Sequence, residues 1–318
     1  MRELTGPQPA PPCGDGEFLE EVLHGLSLPQ KSIPCRFLYD RRGSELFERI
    51  AGLPEYYPTR TEIVLLKDLG PILKETAPSG AAVVEFGSGS SVKTGFLLEA
   101  LDRPAAYIPI DISAAALYPA AARIRERFPG IAVHPIPGSF HDPGKLKLPF
   151  PQCPRLGFFP GSTIGNLTPA EAASFLRSAR RFLGGGSLFV IGVDLQKPLE
   201  ILLPAYDDAQ GVTAAFNRNV LVRINSELGG TFDPELFQHR PLYNAAESRI
   251  EMHLRAPRAH RVRVAGRSFD FGEGETIHTE NSYKYSISGF QALARAGGWT
   301  PLTCWTDKDN LFSLHILA

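Results

Sequence analysis

The stretch Ala81-Ala82-Val83-Val84-Glu85-Phe86-Gly87-Ser88-Gly89-Ser90-Ser91-Val92-Lys93-Thr94 decides the fold. An apolar run leads into an acid, two glycines one residue apart, and a helix-like segment ending Phe96-Leu97-Leu98. Such a run reads as a buried parallel strand. Glycines after it let the backbone turn sharply and pass close to a ligand. A helix opening there offers unpaired N–H groups. Together they predict a ligand cradle at the carboxyl edge of an α/β sheet.

Three cradles share this outline. The dinucleotide fingerprint wants a third glycine where Val92 stands. The phosphate loop matches at Gly87, Lys93 and Thr94, but Val92 again replaces the glycine before its lysine. The adenosylmethionine cradle, an acid ending the strand and a G-x-G turn, fits Glu85, Gly87 and Gly89. Phosphate ligands and an ordinary tight turn stay open at this point. The next strand, Ala106-Tyr107-Ile108-Pro109-Ile110, ends in Asp111. An acid about twenty residues beyond the glycines is where a ribose diol is held. Asp111 also reads as a helix N-cap, unless Ser113 caps that helix and leaves the carboxylate for a ligand.

The whole chain narrows the classes. Its 318 residues suit about two domains. A net charge of −1 gives no field to hold nucleic acid or an acidic membrane, so neither is expected as a partner. Cys13, Cys35, Cys153 and Cys304 lie far apart, with neither metal-ligand spacing nor a disulfide framework. No signal peptide and no membrane-length apolar run is evident. A cytoplasmic monomer is the expectation.

Residues 1–16, rich in Pro and Gly, read as a flexible N-terminus. A helix begins at Gly16-Glu17-Phe18. An amphipathic stretch surrounds Leu46-Phe47-Ile50, and Tyr56-Tyr57, set between prolines, reads as interrupting the helical pattern. A helix follows over Thr61 to Thr76. Further strands are read at Ile131 to Ile136, Leu156 to Phe159 and Leu188 to Asp194, alternating with helices as in a doubly wound parallel sheet. Lone His134 reads as a surface or packed residue. The rhythm breaks at Gln196. Helices around 203–217 and 221–228 follow, then strand-like 247–254, 262–264 and 276–285. A helix at 288–296 and strands at 299–305 and 311–317 close the chain.

Several motifs resemble one family: Tyr39-Asp40-x-x-Gly43-Ser44-x-Leu46-Phe47, Leu53-Pro54-Glu55-Tyr56-Tyr57-Pro58-Thr59-Arg60-Thr61-Glu62, Gly161-Ser162-Thr163-Ile164-Gly165-Asn166, Ser248-Arg249-Ile250-Glu251-Met252-His253-Leu254 and Thr279-Glu280-Asn281-Ser282-Tyr283-Lys284-Tyr285. They are similar to the histidine Nα-methyltransferases of ergothioneine biosynthesis. The resemblance spans about residues 20 to 318. It implies a Rossmann-like, seven-stranded S-adenosylmethionine (SAM)-dependent methyltransferase sheet and a second, smaller α+β domain. The SAM-binding domain would take 61–196 and 286–318. The substrate-binding domain would take 17–60 and 197–285.

The resemblance further implies three successive methyl transfers from SAM to the α-amino group of L-histidine, giving hercynine without a metal. Asn166 and Tyr206 would hold the substrate carboxylate, Tyr39 would orient the amino group, and Gly161 would place a carbonyl beside it. Glu280 and Ser282, two apart on a strand and so on one face, would serve the imidazole. Tyr56 and Met252 would form walls. Gly87, Lys93 and Asp111 would hold SAM, also reached by Tyr39, with Ser139 and Phe140 at the adenine. Ser139 stands where the family commonly has Asp, although a serine oxygen still accepts a hydrogen bond. Tyr283 stands where some members carry cysteine. The same chemistry on tryptophan or tyrosine, or a non-catalytic SAM- or amino-acid-binding module, are the alternative readings.

Overall fold

A computed structural model describes residues 15–89, 91–140, 146–149 and 153–318. Its elements are α1 (Asp15–Ser27), β1 (Lys31–Ser32), α2 (Arg41–Ala51), α3 (Tyr57–Thr76), β2 (Ala82–Phe86), α4 (Val92–Ala100), β3 (Ala106–Asp111) and α5 (Ala114–Arg127). Then come β4 (Ala132–Val133), β5 (Ile136–Pro137), β6 (Arg155–Phe159), α6 (Pro169–Leu183), β7 (Leu188–Asp194), α7 (Leu199–Leu202) and α8 (Val212–Leu228). The chain ends with β8 (Gln238–Asn244), β9 (Arg249–Arg255), β10 (His260–Val264), β11 (Arg267–Phe271), β12 (Thr276–Tyr283), α9 (Ile287–Ala296), β13 (Pro301–Thr306) and β14 (Phe312–Leu317).

The main sheet runs β13-β14-β7-β6-β2-β3, with β4 and β5 both pairing to the outer edge of β3. The seven expected positions are filled, the last by two short pieces. His134 still donates its N–H to the Tyr107 carbonyl, but Pro135 has no N–H and the ladder breaks there. β2, β3, β6 and β7 are parallel, while β14 is antiparallel to both its neighbours. Side chains alternate between two cores. Val84, Phe86 and Phe159 pack under α6 and α9, with Phe175 and Trp299. Val83, Tyr107 and Phe158 pack under α3 and α4, with Leu66 and Leu97. The parallel strands end along one edge at Phe86, Asp111, Phe159 and Asp194.

The second sheet runs β1-β12-β9-β8, beside the hairpin β10-β11. That hairpin turns through Ala265-Gly266, both at positive φ, as a two-residue primed turn requires. Its core joins α1, α2 and α8 to these strands. The chain leaves the main sheet and returns at adjacent points, because Leu195 bridges Tyr285 and Gln196 donates its N–H to the Tyr285 carbonyl.

Several expectations are corrected. Residues 1–14 lie outside those described, and 15–16 already belong to α1. Helix α3 begins at Tyr57 rather than Thr61, because Pro58 falls in the first turn, where its missing N–H costs nothing. α8 is one continuous helix, and the Gly211 and Gly229 that bound it are both left-handed. Strands β8 and β11 escaped the sequence reading.

Phe175 lies within 4.6 Å of the Phe159 ring centroid and 5.5 Å of Phe86. Phe175→Ala is expected to cost about 3–5 kcal/mol, measured as a lowered urea midpoint.

Candidate active site

The glycine turn is built as its spacing requires. Gly87 and Gly89 have φ of 71° and 48°, where a side chain is strained. Asp111 closes the turn: one oxygen accepts the Gly89 N–H at 2.9 Å and the other the Ser113 N–H at 2.8 Å. Ser113 stands at the N-cap of α5, yet its side chain makes no capping bond. Of the two readings open from the sequence, the carboxylate thus takes part in closing the start of α5. A carboxylate can accept further bonds beyond these, and burial pushes the Asp111 pKa up. Glu85 is held by Thr94 at 2.6 Å and by the Tyr107 hydroxyl, with burial lifting its pKa to about 8.

Lys93 is anchored by Glu62 at 2.6 Å. Glu62 is fully enclosed and also accepts the Gly161 N–H at 2.8 and 3.0 Å. One carboxylate thus ties the lysine beside the glycine turn to the backbone after β6. Gly192 on β7 makes room for it, since a Cβ there would lie 2.1 Å from a Glu62 oxygen. Gly161 itself is left-handed, at φ 76°. Phe140 packs on Phe159 at 5.3 Å and flanks Gly87. Ser139 precedes it but does not line the cavity, and residues 141–145 lie outside those described.

Across the cavity, Tyr39 stacks edge-on against Phe47 and Phe216 at 5.5 and 5.3 Å. Its hydroxyl lies 3.4 Å from Glu280, longer than a good O–H···O bond. Burial, and then Glu280, raise the Tyr39 pKa well above 10, so it is a phenol and not a base at neutral pH.

Glu280 reaches the cavity because β12 carries one extra residue. Ile277 pairs with Leu254 and His278 with His253, but Glu280 then pairs with Met252. Thr279 is the bulged residue. Were Thr279 paired in regular register instead of bulged, Glu280 would fall opposite Glu251, on the outer face. The Thr279 hydroxyl bonds Asn217 at 2.6 Å and the Met252 carbonyl at 3.0 Å. Asn217 donates to His239 at 3.0 Å, and His239 in turn reaches the Tyr206 carbonyl at 2.7 Å.

Tyr206 and Ser282 share a hydrogen bond of 2.7 Å, and Lys284 donates to both. The Lys284 ion pair is with Asp194, at 2.6 Å. Asn166 ends the 3₁₀ turn Thr163–Asn166, which approaches β12 closely. A Cβ on Gly165 would lie 2.8 Å from the Tyr283 carbonyl.

One cavity of about 660 Å³ joins both halves. Gly87, Lys93, Asp111 and Phe140 line one side. Tyr39, Tyr56, Asn166, Tyr206, Met252, Glu280 and Ser282 also line the cavity, as does Gly161 beside Lys93. Sequence reasoning passed over Glu62, Asp194, Asn217 and Thr279. Asp194 did carry a signal, as an acid at a strand tip.

The family described as "histidine-specific methyltransferase, SAM-dependent" matches residues 18–318. The chain is 42% identical to the histidine N-alpha-methyltransferase of Mycolicibacterium smegmatis, covering 93% of each chain. It is 40% identical to that of Mycobacterium tuberculosis, covering 94% of each. It is also 30% identical to ergothioneine biosynthesis protein 1 of Neurospora crassa, covering 91% of this chain and 33% of that one. The chain belongs to this methyltransferase family.

Among the described residues of this SAM-dependent methyltransferase, Glu251, His253 and His278 could together face a metal ion. They lie on the outer face of β9 and β12, away from the cavity. Both His253 nitrogens are engaged, by Thr276 and Glu251, each at 3.1 Å. Arg249 occupies the Glu251 carboxylate at 2.6 Å.

Burial lifts the Glu280 carboxyl from 4.5 to about 7, partly offset by Tyr39 and Lys284. The folded methyltransferase therefore binds more protons than the unfolded chain between those values, and this group makes stability fall as pH rises across that window. Glu280→Gln is expected to flatten the fall, by on the order of 3 kcal/mol between pH 4.5 and 7. Denaturant midpoints of the ligand-free proteins at pH 5 and pH 8 check this; parallel profiles would contradict it.

Proposed function

We propose that this chain transfers three methyl groups in turn from SAM to the α-amino group of L-histidine, forming hercynine in the first step of ergothioneine biosynthesis. The observation that carries this reading is Glu280, a buried carboxylate turned by a strand bulge into the same cavity as the glycine turn. A carboxylate there accepts an N–H from an imidazole, and an apolar ring would leave it desolvated and unpaired.

The residues divide the work by position. Gly87, Lys93 and Asp111 hold SAM, with Tyr39 at its reacting end and Phe140 at the adenine, while Ser139 lies outside the cavity lining. Asn166 and Tyr206 hold the substrate carboxylate, Glu280 and Ser282 the ring, and Tyr56 and Met252 the walls. SAM supplies an electrophilic methyl carbon on sulfur. The amino group enters as an ammonium and leaves with three methyls, so three protons depart, and nitrogen must present a lone pair each time. Tyr39, a phenol by its raised pKa, orients that nitrogen, with the Gly161 carbonyl beside it. Holding nitrogen and methyl carbon in line is a large source of acceleration.

The lobes follow the same division: 17–60 with 197–285 carry the amino acid, and 61–196 with 286–318 carry SAM. The enzyme is read as a metal-independent cytoplasmic monomer that uses neither nucleic acid nor a membrane. Among the described residues, no helix is long and apolar enough to cross a membrane.

Incubation with L-histidine and SAM should give a product heavier by three methyl groups, seen by mass spectrometry. Tryptophan and tyrosine should give none. Glu280→Gln should weaken histidine binding by about tenfold or more while SAM binding holds, and Asp111→Ala should do the reverse. Normal affinities in both variants would overturn the site assignment.

A further inference from the structure

Lys284 lies behind the cavity wall with its side chain fully enclosed. An ammonium has three N–H bonds, and all three are used: Asp194 at 2.6 Å, the Tyr206 hydroxyl at 2.6 Å and Ser282 at 2.8 Å. Asp194 also binds Lys197 at 2.5 Å and the Tyr57 hydroxyl at 2.8 Å. Two lysines thus share one buried carboxylate. Burial raises the Asp194 pKa, but the two lysines more than offset this and hold it below its usual value. Taken alone, these three groups leave one positive charge over, with Asp307 also acting on Lys197, in a place where an uncompensated charge is costly.

Lys284 reaches the cavity lining through Tyr206 and Ser282, and its ion-pair partner Asp194 lines the cavity as well. Each hydroxyl accepts a bond from Lys284, and the two share one bond at 2.7 Å. That bond uses one of their two hydroxyl protons. The other has no acceptor within the cluster, so the wall offers the cavity an O–H donor backed by a cation. Such a donor suits an anion, and charge-assisted hydrogen bonds are about twice as strong as neutral ones.

We propose that Lys284 is a positioning residue for substrate carboxylate recognition: through Tyr206 and Ser282 it presents a polarised hydroxyl and supplies the positive charge that an amino-acid carboxylate completes. This rests on the reading of the cavity as an α-amino-acid site. The ammonium never touches substrate. When Ser282 donates to Tyr206, both Tyr206 lone pairs are filled, by Lys284 and Ser282, and Tyr206 can only donate. That leaves its proton for the carboxylate and a Ser282 lone pair for the ring.

The test compares L-histidine with L-histidinamide, which keeps the ring and amine but lacks the anion. Affinities are measured by calorimetry, and KM and kcat with SAM. Wild-type protein should favour the acid. Lys284→Met should weaken histidine by about tenfold or more, change histidinamide little, and place the loss on KM. Lys284→Arg, which keeps the cation, should restore the preference. Tyr206→Phe, which leaves Lys284 in place but removes the hydroxyl, should shrink it, and this arm stands even if Lys284→Met does not fold. Equal weakening of acid and amide, or an unchanged preference in Lys284→Met or Tyr206→Phe, would overturn the proposal while leaving histidine methylation intact. Wild-type protein that methylates no histidine would overturn the site reading itself, and this inference with it.

Discussion

Side chains alternate along a strand, so one added residue decides the face that every later one occupies. In β12 that residue is Thr279, and the site depends on it. Before the bulge, Ile277 faces the core and His278 faces out; after it, Glu280 and Ser282 face the cavity. The bulge is held by a buried chain that runs from the Thr279 hydroxyl through Asn217 and His239 to the Tyr206 carbonyl. Burial lowers the His239 pKa, which keeps the ring neutral, able to accept from Asn217 on one nitrogen and donate to Tyr206 on the other. Breaking a link would leave a buried polar group unpaired, at about 1–3 kcal/mol. The same chain therefore fixes the aim of Glu280 and the position of Tyr206, at separate points of the wall.

Helix α3 performs the matching task at the main sheet. Its first residue, Tyr57, bonds Asp194 at the tip of β7, and Glu62, in its second turn, bonds Gly161 after β6. Both strand tips are thereby clamped to one rigid element, with Lys93 drawn into the second clamp. A group held by Lys93 and one held near Gly161 are set at a distance fixed by a single carboxylate. For a transfer between two bound molecules, that rigidity is what positioning requires.

The main sheet was legible because its signals are local. The apolar run 82–86, the two glycines and Asp111 carry strand, turn and ligand cradle within a short span. The inserted region was legible only in part. β8 begins Gln238-His239-Arg240-Pro241 and β11 reads Arg267-Ser268-Phe269-Asp270-Phe271; their polar outward faces, and Pro241 within β8, hide them. Glu280 and Ser282 share a face, as alternation implies, yet alternation would also have placed His278 with them. The bulge that separates them has no local signature, since Thr279 becomes the extra residue only through Asn217, far away in sequence. Glu62 was missed for the same reason: it is an ordinary acid in its own segment, and only the fold brings it to Lys93.

The buried charges complete the logic of the cavity. Replacing a buried ion pair with well-packed apolar side chains is often neutral or stabilising, so the Asp194–Lys197–Lys284 cluster is poorly explained as a device for stability. Glu280 is similar: burial raises its pKa and makes its charged form costly. Both make sense if the cavity is finished by what enters it. A positive charge lies behind Tyr206 and an acid stands at Glu280, with Phe47, Phe216 and Met252 contributing apolar wall to the same cavity. L-Histidine, with a carboxylate and an imidazole N–H, satisfies the two together. A ligand with only the carboxylate, or only the ring, leaves one of them desolvated and unmatched. Selectivity then arises from the penalty left behind by the wrong ligand as much as from contacts made by the right one.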